Sequence, residues 1–169
     1  MKKTLYARSM KRLLISISLA DNMGYCQGMN YAADFLLRRI PEKDAFCVFL
    51  YALRNKHICC LYETKLPFLS DFMEIFSRQL EFNLPELSCH LNEMGFLAPF
   101  YSIEWFTTLF SLACPSELTS AVWDMFLFNG KDVFLKCAVA IMGMLERQLM
   151  LLNGEELLKN FRYFLLSVP

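Results

Sequence analysis

Residues 24–28 read Gly-Tyr-Cys-Gln-Gly and set an uncharged amide, Gln27, between two glycines. Glycines so close together mark a backbone that turns sharply or lets another group approach. A primary amide carries an acceptor oxygen and two N–H donors, so it can orient a reactant without adding charge. Taken alone, the segment reads first as a tight corner with a glycine helix cap and a polar side chain in water. Other reactive residue types form no comparable pattern. His57, Cys59 and Cys60 could begin a zinc site, but a structural zinc wants four ligands in paired elements and no second pair occurs at suitable spacing. Cys89 and His90 are neighbours on a presumed helix and so point in different directions. Nothing among seven cysteines and two histidines selects a nucleophilic pair, and no metal site is expected. Trp105 and Trp123, beside Glu104 and Asp124, fall inside apolar helical patterns and are expected in the core.

The elements that must position these residues are all helical. Leu5, Leu13, Leu14 and Ile17 share a face between about Thr4 and Ala20, and Asn22 and Gly24 are expected to end that helix. The next is expected from near Gln27 to Arg39, burying Met29, Ala33, Leu36 and Leu37. Pro41 suits the first turn of a third helix, 41–55, with Glu42 and Asp44 favourably placed against its dipole. Residues 67–82 repeat apolar residues at Phe68, Phe72, Ile75, Phe76 and Leu80, and Pro85 opens a segment that Gly95 closes. Ser102 is the expected N-cap of a helix through 114, stopped by Pro115. Three more helical stretches cover 115–130, 131–152 and 155–167. No segment alternates with period two and no repeat or linker interrupts the chain. The expected fold is therefore all-α, a single domain of about nine helices over residues 1–169.

Bulk composition agrees. With 56% hydrophobic residues the chain can fill a core, which argues against disorder. Seventeen basic residues balance seventeen acidic ones, so a phosphate-tracking basic surface for nucleic acid is not expected. An odd number of cysteines without CxxC pairs suits reduced thiols in a cytoplasmic protein. Arg8, Lys11 and Arg12 interrupt the N-terminal apolar stretch, and later apolar runs fall short of the ~18 residues a membrane span needs, so neither a signal peptide nor membrane insertion is expected.

Two dense segments together resemble a known family. DNMGYCQGMNYAADFLL is similar to the signature of TBC domains, in which a Y-x-Q-G-M segment comes after a helix and a loop. LAPFYSIEWFTTLFSLACPSELTSAVWDMFLFNGKDVFLKCAVAIM resembles that family's second landmark, and LPELSCHLNEMGF between them resembles its P-x-L-x-x-H-L segment. The likeness covers approximately residues 13 to 142. It implies an all-α domain that accelerates GTP hydrolysis by Rab-type small GTPases, acting in vesicle trafficking on a GTP-bound partner. Such an activator is expected to be no enzyme in its own right, to bind no cofactor because the GTPase carries the nucleotide and Mg²⁺, and to reach endomembranes only through that partner. The resemblance makes Gln27 a glutamine finger supplied in trans, with Tyr25 its motif partner. Gly24, Gly28, Met29 and Asn30 are then expected at the GTPase contact. An amide suits that role because it can hold the attacking water and steady a phosphate oxygen, where a carboxylate would be repelled.

The family supplies a second group, an arginine in an I-x-x-D-x-x-R motif upstream of Y-x-Q, and no such motif occurs in these 169 residues. Arg8 lies about twelve residues from the end of its presumed helix, roughly 18 Å away, and Arg38 and Arg39 sit at the far end of the next one. Ala121 also stands two before Trp123, where the family often has arginine. The domain is therefore expected to be incomplete at its N-terminus. The alternative is a TBC-like scaffold that binds a Rab GTPase without activating it.

Overall fold

The computed structural model describes residues 2–21, 24–62 and 67–167. Among them are nine α-helices: α1 (Lys2–Asp21), α2 (Met29–Leu37), α3 (Glu42–Asn55), α4 (Pro67–Asn83), α5 (Pro85–Glu93), α6 (Pro99–Thr107), α7 (Ser116–Asn129), α8 (Asp132–Leu149) and α9 (Gly154–Leu166). A 3₁₀ turn, Ile58–Tyr62, lies between α3 and α4. Helix α1 packs on α2 and α3; α4 packs on α5, α6 and α8; and α8 also packs on α7 and α9.

An aromatic core binds these layers. Trp105 of α6 stacks on Phe161 of α9 with ring centroids 5.9 Å apart, and Phe76 of α4 meets Tyr101, Trp105 and Phe106 of α6. Phe126 of α7 stacks on Phe134 of α8 at 4.7 Å. Both tryptophans are buried as expected, and Trp123 satisfies its indole by donating to Ser111 Oγ at 3.3 Å. Polar ties close the outer seams. Arg12 of α1 grips both carboxylate oxygens of Glu42 at the start of α3. Asp34 of α2 accepts from Tyr6 of α1 and from Arg38. Arg39 reaches across to Ser116 of α7 and lies over the Phe35 ring.

Helix α6 departs from the reading of the sequence. It begins at Pro99, whose fixed φ and missing N–H suit a first helical turn, so Ser102 is interior to the helix and fully buried instead of capping it. The Ser102 hydroxyl has no hydrogen-bond partner among the described residues. The helix stops at Thr107, because Leu109 and Phe110 take φ of 50° and 63°. Such left-handed backbone is strained for these residues, and packing holds it: Phe110 sits against Trp105, Phe106 and Phe134. Two apolar residues placed on buried faces by their spacing, Leu5 and Ile75, are exposed. Asn22, read as ending α1, lies outside the described residues.

Candidate functional site

Gln27 sits in the turn that leads into α2, and its side chain is exposed. The helix starts at Met29, two residues later than expected, with Gly28 as its N-cap. Gly28 offers no side chain to the first turn; the Met29 and Tyr31 N–H groups bond the Cys26 and Gly28 carbonyls, and no capping carboxylate offsets the partial positive charge of this helix end. What holds the turn is buried. Met29 is fully buried, and its sulfur accepts from the Cys26 backbone N–H at 3.2 Å. The Met29 N–H closes the turn onto the Cys26 carbonyl. Met29 therefore anchors the turn to the core and has no face for a partner, contrary to its expected place at the GTPase contact.

The remaining motif residues divide by exposure. Tyr25 is 58% exposed and donates from its hydroxyl to Asn30 Oδ1 at 3.1 Å, bracing the turn from outside. Asn30 is half-buried and Gly24, at φ 77°, is open to solvent. Gly28 is buried, with φ 109°. A Cβ placed on it would stand 2.3 Å from the Thr107 carbonyl oxygen, so the close approach this glycine permits is to the chain's own α6. Burial pushes the Cys26 thiol above its ordinary value, which keeps the residue beside Gln27 uncharged at neutral pH.

A groove of about 590 Å³ opens beside the turn, lined among others by Gln27, Tyr31, Phe100, Ile103, Glu104 and Thr107. Phe100 and Ile103 are 68% and 42% exposed, an apolar stripe on the outward side of α6. Sequence reasoning missed this wall. Starting the helix at Pro99 instead of Ser102 brings Phe100 into it, on one face with Ile103 and Thr107 and opposite Tyr101 and Trp105, so the residue that completes the wall lay just outside the expected helix.

The arginines and the other reactive residues are placed elsewhere. Arg12, Arg38 and Arg39 make the ties described above, and Arg8 is exposed on α1. Cys60 Sγ is turned onto the His57 carbonyl at 2.8 Å, and His90 donates through Nε2 to the Leu152 carbonyl at 3.0 Å. Among the described residues no three His, Cys, Asp or Glu side chains converge on a metal-sized space, and no helix is long and apolar enough to cross a membrane.

Comparison with known proteins identifies the family. The sequence profile of the Rab-GTPase-TBC domain matches residues 2–150. The chain is 30% identical over 146 residues to the human ecotropic viral integration site 5 protein homolog, covering 86% of this chain and 18% of the relative. It is 31% identical over 140 residues to the Rab GTPase-activating protein eat-17 of Caenorhabditis elegans, covering 83% and 16%. A second Caenorhabditis elegans relative, the Rab GTPase-activating protein tbc-11, is 31% identical over 151 residues, covering 88% and 16%. The chain thus spans less than a fifth of the length of these relatives. Its fold is that of the Chlamydomonas flagellar RabGAP TBC domain, at a TM-score of 0.77 and 23% identity over 95% of this chain and 55% of that one. The comparison also corrects one expectation. GTPase-activating proteins are classed as enzymes acting on GTP hydrolysis, so the reading of such a domain as no enzyme does not stand. By sequence profile, relatives and fold, the chain belongs to the Rab-GTPase-TBC domain family.

Proposed function

We propose that this chain is a GTPase-activating domain for a GTP-bound Rab-type GTPase, and that Gln27 enters the partner's active site to hold the hydrolytic water. One observation carries the reading: in a chain of this family, the motif's amide stands exposed on the rim of a groove while its neighbours Gly28 and Met29 are buried. Phosphoryl transfer asks a protein for positioning and charge stabilisation more than for covalent chemistry. An amide meets both needs, accepting from the water through Oε1 and donating through Nε2 to a phosphate oxygen. The uncapped start of α2 favours the approach of that anionic centre. The nucleotide and its metal ion belong to the GTPase, and contact with endomembranes would come through that partner.

A second reading is favoured by one specific feature of the sequence, the lack of an I-x-x-D-x-x-R segment within these residues. A transition-state arginine contributes about 10³ to 10⁵ in rate, so a chain acting through its glutamine alone would stimulate weakly. A pure scaffold would bind the GTPase in a nucleotide-dependent way and not stimulate at all. Single-turnover GTP hydrolysis by a panel of Rab-type GTPases separates the two. The activator reading expects faster hydrolysis by at least one of them, with Gln27→Ala removing the increase. Binding that survives Gln27→Ala, with no effect of either protein on hydrolysis, would establish the scaffold instead.

A further inference from the structure

We propose that Gly28 is a positioning residue: its bare Cα, seated on the Thr107 carbonyl at the end of α6, fixes where Gln27 stands over the groove. The inference rests on the reading of Gln27 given above and adds what holds it. Three observations converge on it. A Cβ at residue 28 would lie 2.3 Å from the Thr107 oxygen, 2.8 Å from its carbonyl carbon and 3.1 Å from its Cβ, so the nearest obstacle is backbone and cannot rotate away. The Thr107 backbone is itself held, because Thr107 Oγ1 donates to the Ile103 carbonyl at 2.8 Å, and Leu109 and Phe110 just beyond are fully buried in left-handed conformation. On the other side of the seat, Met29 is locked in the core, so the turn has no slack to absorb a push. Any side chain at 28 must therefore displace the turn by roughly 1 Å, and Gln27 is the adjoining residue in that turn.

Backbone preference and steric contact can be told apart within this chain. Gly95 also has positive φ, at 69°, but a Cβ there meets nothing within 4 Å. Gly95→Ala carries the conformational strain of an L-residue at positive φ without a clash, whereas Gly28→Ala carries both. A displacement of about 1 Å at a reacting centre can lower a rate on the order of 10²-fold without loss of binding.

The test compares residues 1–169 as wild type, Gly28→Ala, Gly95→Ala, Thr107→Gly and Gln27→Ala. Two readouts are needed: the ¹H–¹⁵N resonances of the Gln27 backbone and side-chain amides, and single-turnover GTP hydrolysis with affinity for the same GTPase. Gly28→Ala is expected to shift the Gln27 and Thr108 amide signals, and to cut the stimulated rate at least tenfold while affinity stays within about threefold. Gly95→Ala leaves both readouts as in the wild type. Thr107→Gly, which loosens the seat without a clash, is expected to lower the rate several-fold at unchanged affinity, and keeps the proposal testable if Gly28→Ala does not fold. Unshifted Gln27 signals in Gly28→Ala, or in Thr107→Gly if the former is unfolded, would overturn the seat. So would a stimulated rate equal to wild type. Should Gln27→Ala leave the rate intact, the role given to Gln27 fails, and the resonance comparison still decides whether Gly28 positions it.

Discussion

At residue 27 a short stretch of sequence separates into an outward amide and inward anchors. Cys26, Gln27, Gly28 and Met29 are consecutive, yet Gln27 is exposed while Gly28 and Met29 are buried. The identity of the amide was legible in the sequence through its motif. Its surroundings were not, because the Thr107 carbonyl that meets Gly28 comes from a helix nearly eighty residues away, and backbone leaves no mark on residue type. Charge at this position is predicted to be harmful. On the proposed role, Gln27→Glu places a carboxylate where phosphate oxygens would come, and its stimulated GTP hydrolysis should fall by about 10²-fold or more, close to that of Gln27→Ala. A rate assay with both variants and their affinities measured in parallel checks this, since an effect on affinity alone would point to a docking role.

Individual helices follow local rules wherever those rules concern their ends. Prolines at 41, 85 and 115 lie at helix starts as read from the sequence, whereas at α6 Pro99 prevails over Ser102, the capping side chain three residues on. The buried side of α6 decided between them: Tyr101, Trp105 and Phe106 must all face inward, which a start at Ser102 would leave short of its first turn. The same local chemistry yields two predictions. In α9, Asn153 accepts from the Glu155 and Glu156 backbone N–H groups, and Glu156 returns a bond to the Asn153 N–H. Asn153→Ala should therefore cost about 1 kcal/mol, read as a lower urea midpoint at constant slope. At the seam of α1 and α3, hydrogen bonding from the Arg12 guanidinium lowers the Glu42 carboxyl from its ordinary 4.5 to about 2. A carboxyl with lowered folded-state pKa contributes stability above its unfolded value and loses it as pH falls towards the folded one. Tm of Glu42→Gln should accordingly lie below wild type at pH 6 and converge with it between about pH 4.5 and 2. Both groups are solvated, so the gap at neutral pH should be small.

On the scale of the whole molecule, an aromatic interior joins the wall of the groove to the last helix, α9. Phe161 of α9 stacks on Trp105, whose helix ends at the Thr107 seat. Phe161→Ala is predicted to destabilise the fold by about 3 kcal/mol or more through the cavity it leaves, measured by denaturant unfolding. The all-α class and the helix count were readable because period and end signals act locally. The groove was not, since it forms only when the turn before α2 meets the outward side of α6, a pairing that periodicity does not encode.

The role proposed for Gln27 lies in the transition state of another protein's reaction. Aluminium fluoride with GDP mimics the transferring phosphoryl group, so affinity for a Rab-type GTPase loaded with that mimic, compared between wild type and Gln27→Ala, tests the claim most directly. The prediction is a loss on the order of tenfold or more for the mimic-loaded GTPase, and little change for the same GTPase holding a non-hydrolysable GTP analogue. Equal affinity of the two proteins for the mimic-loaded state would contradict it.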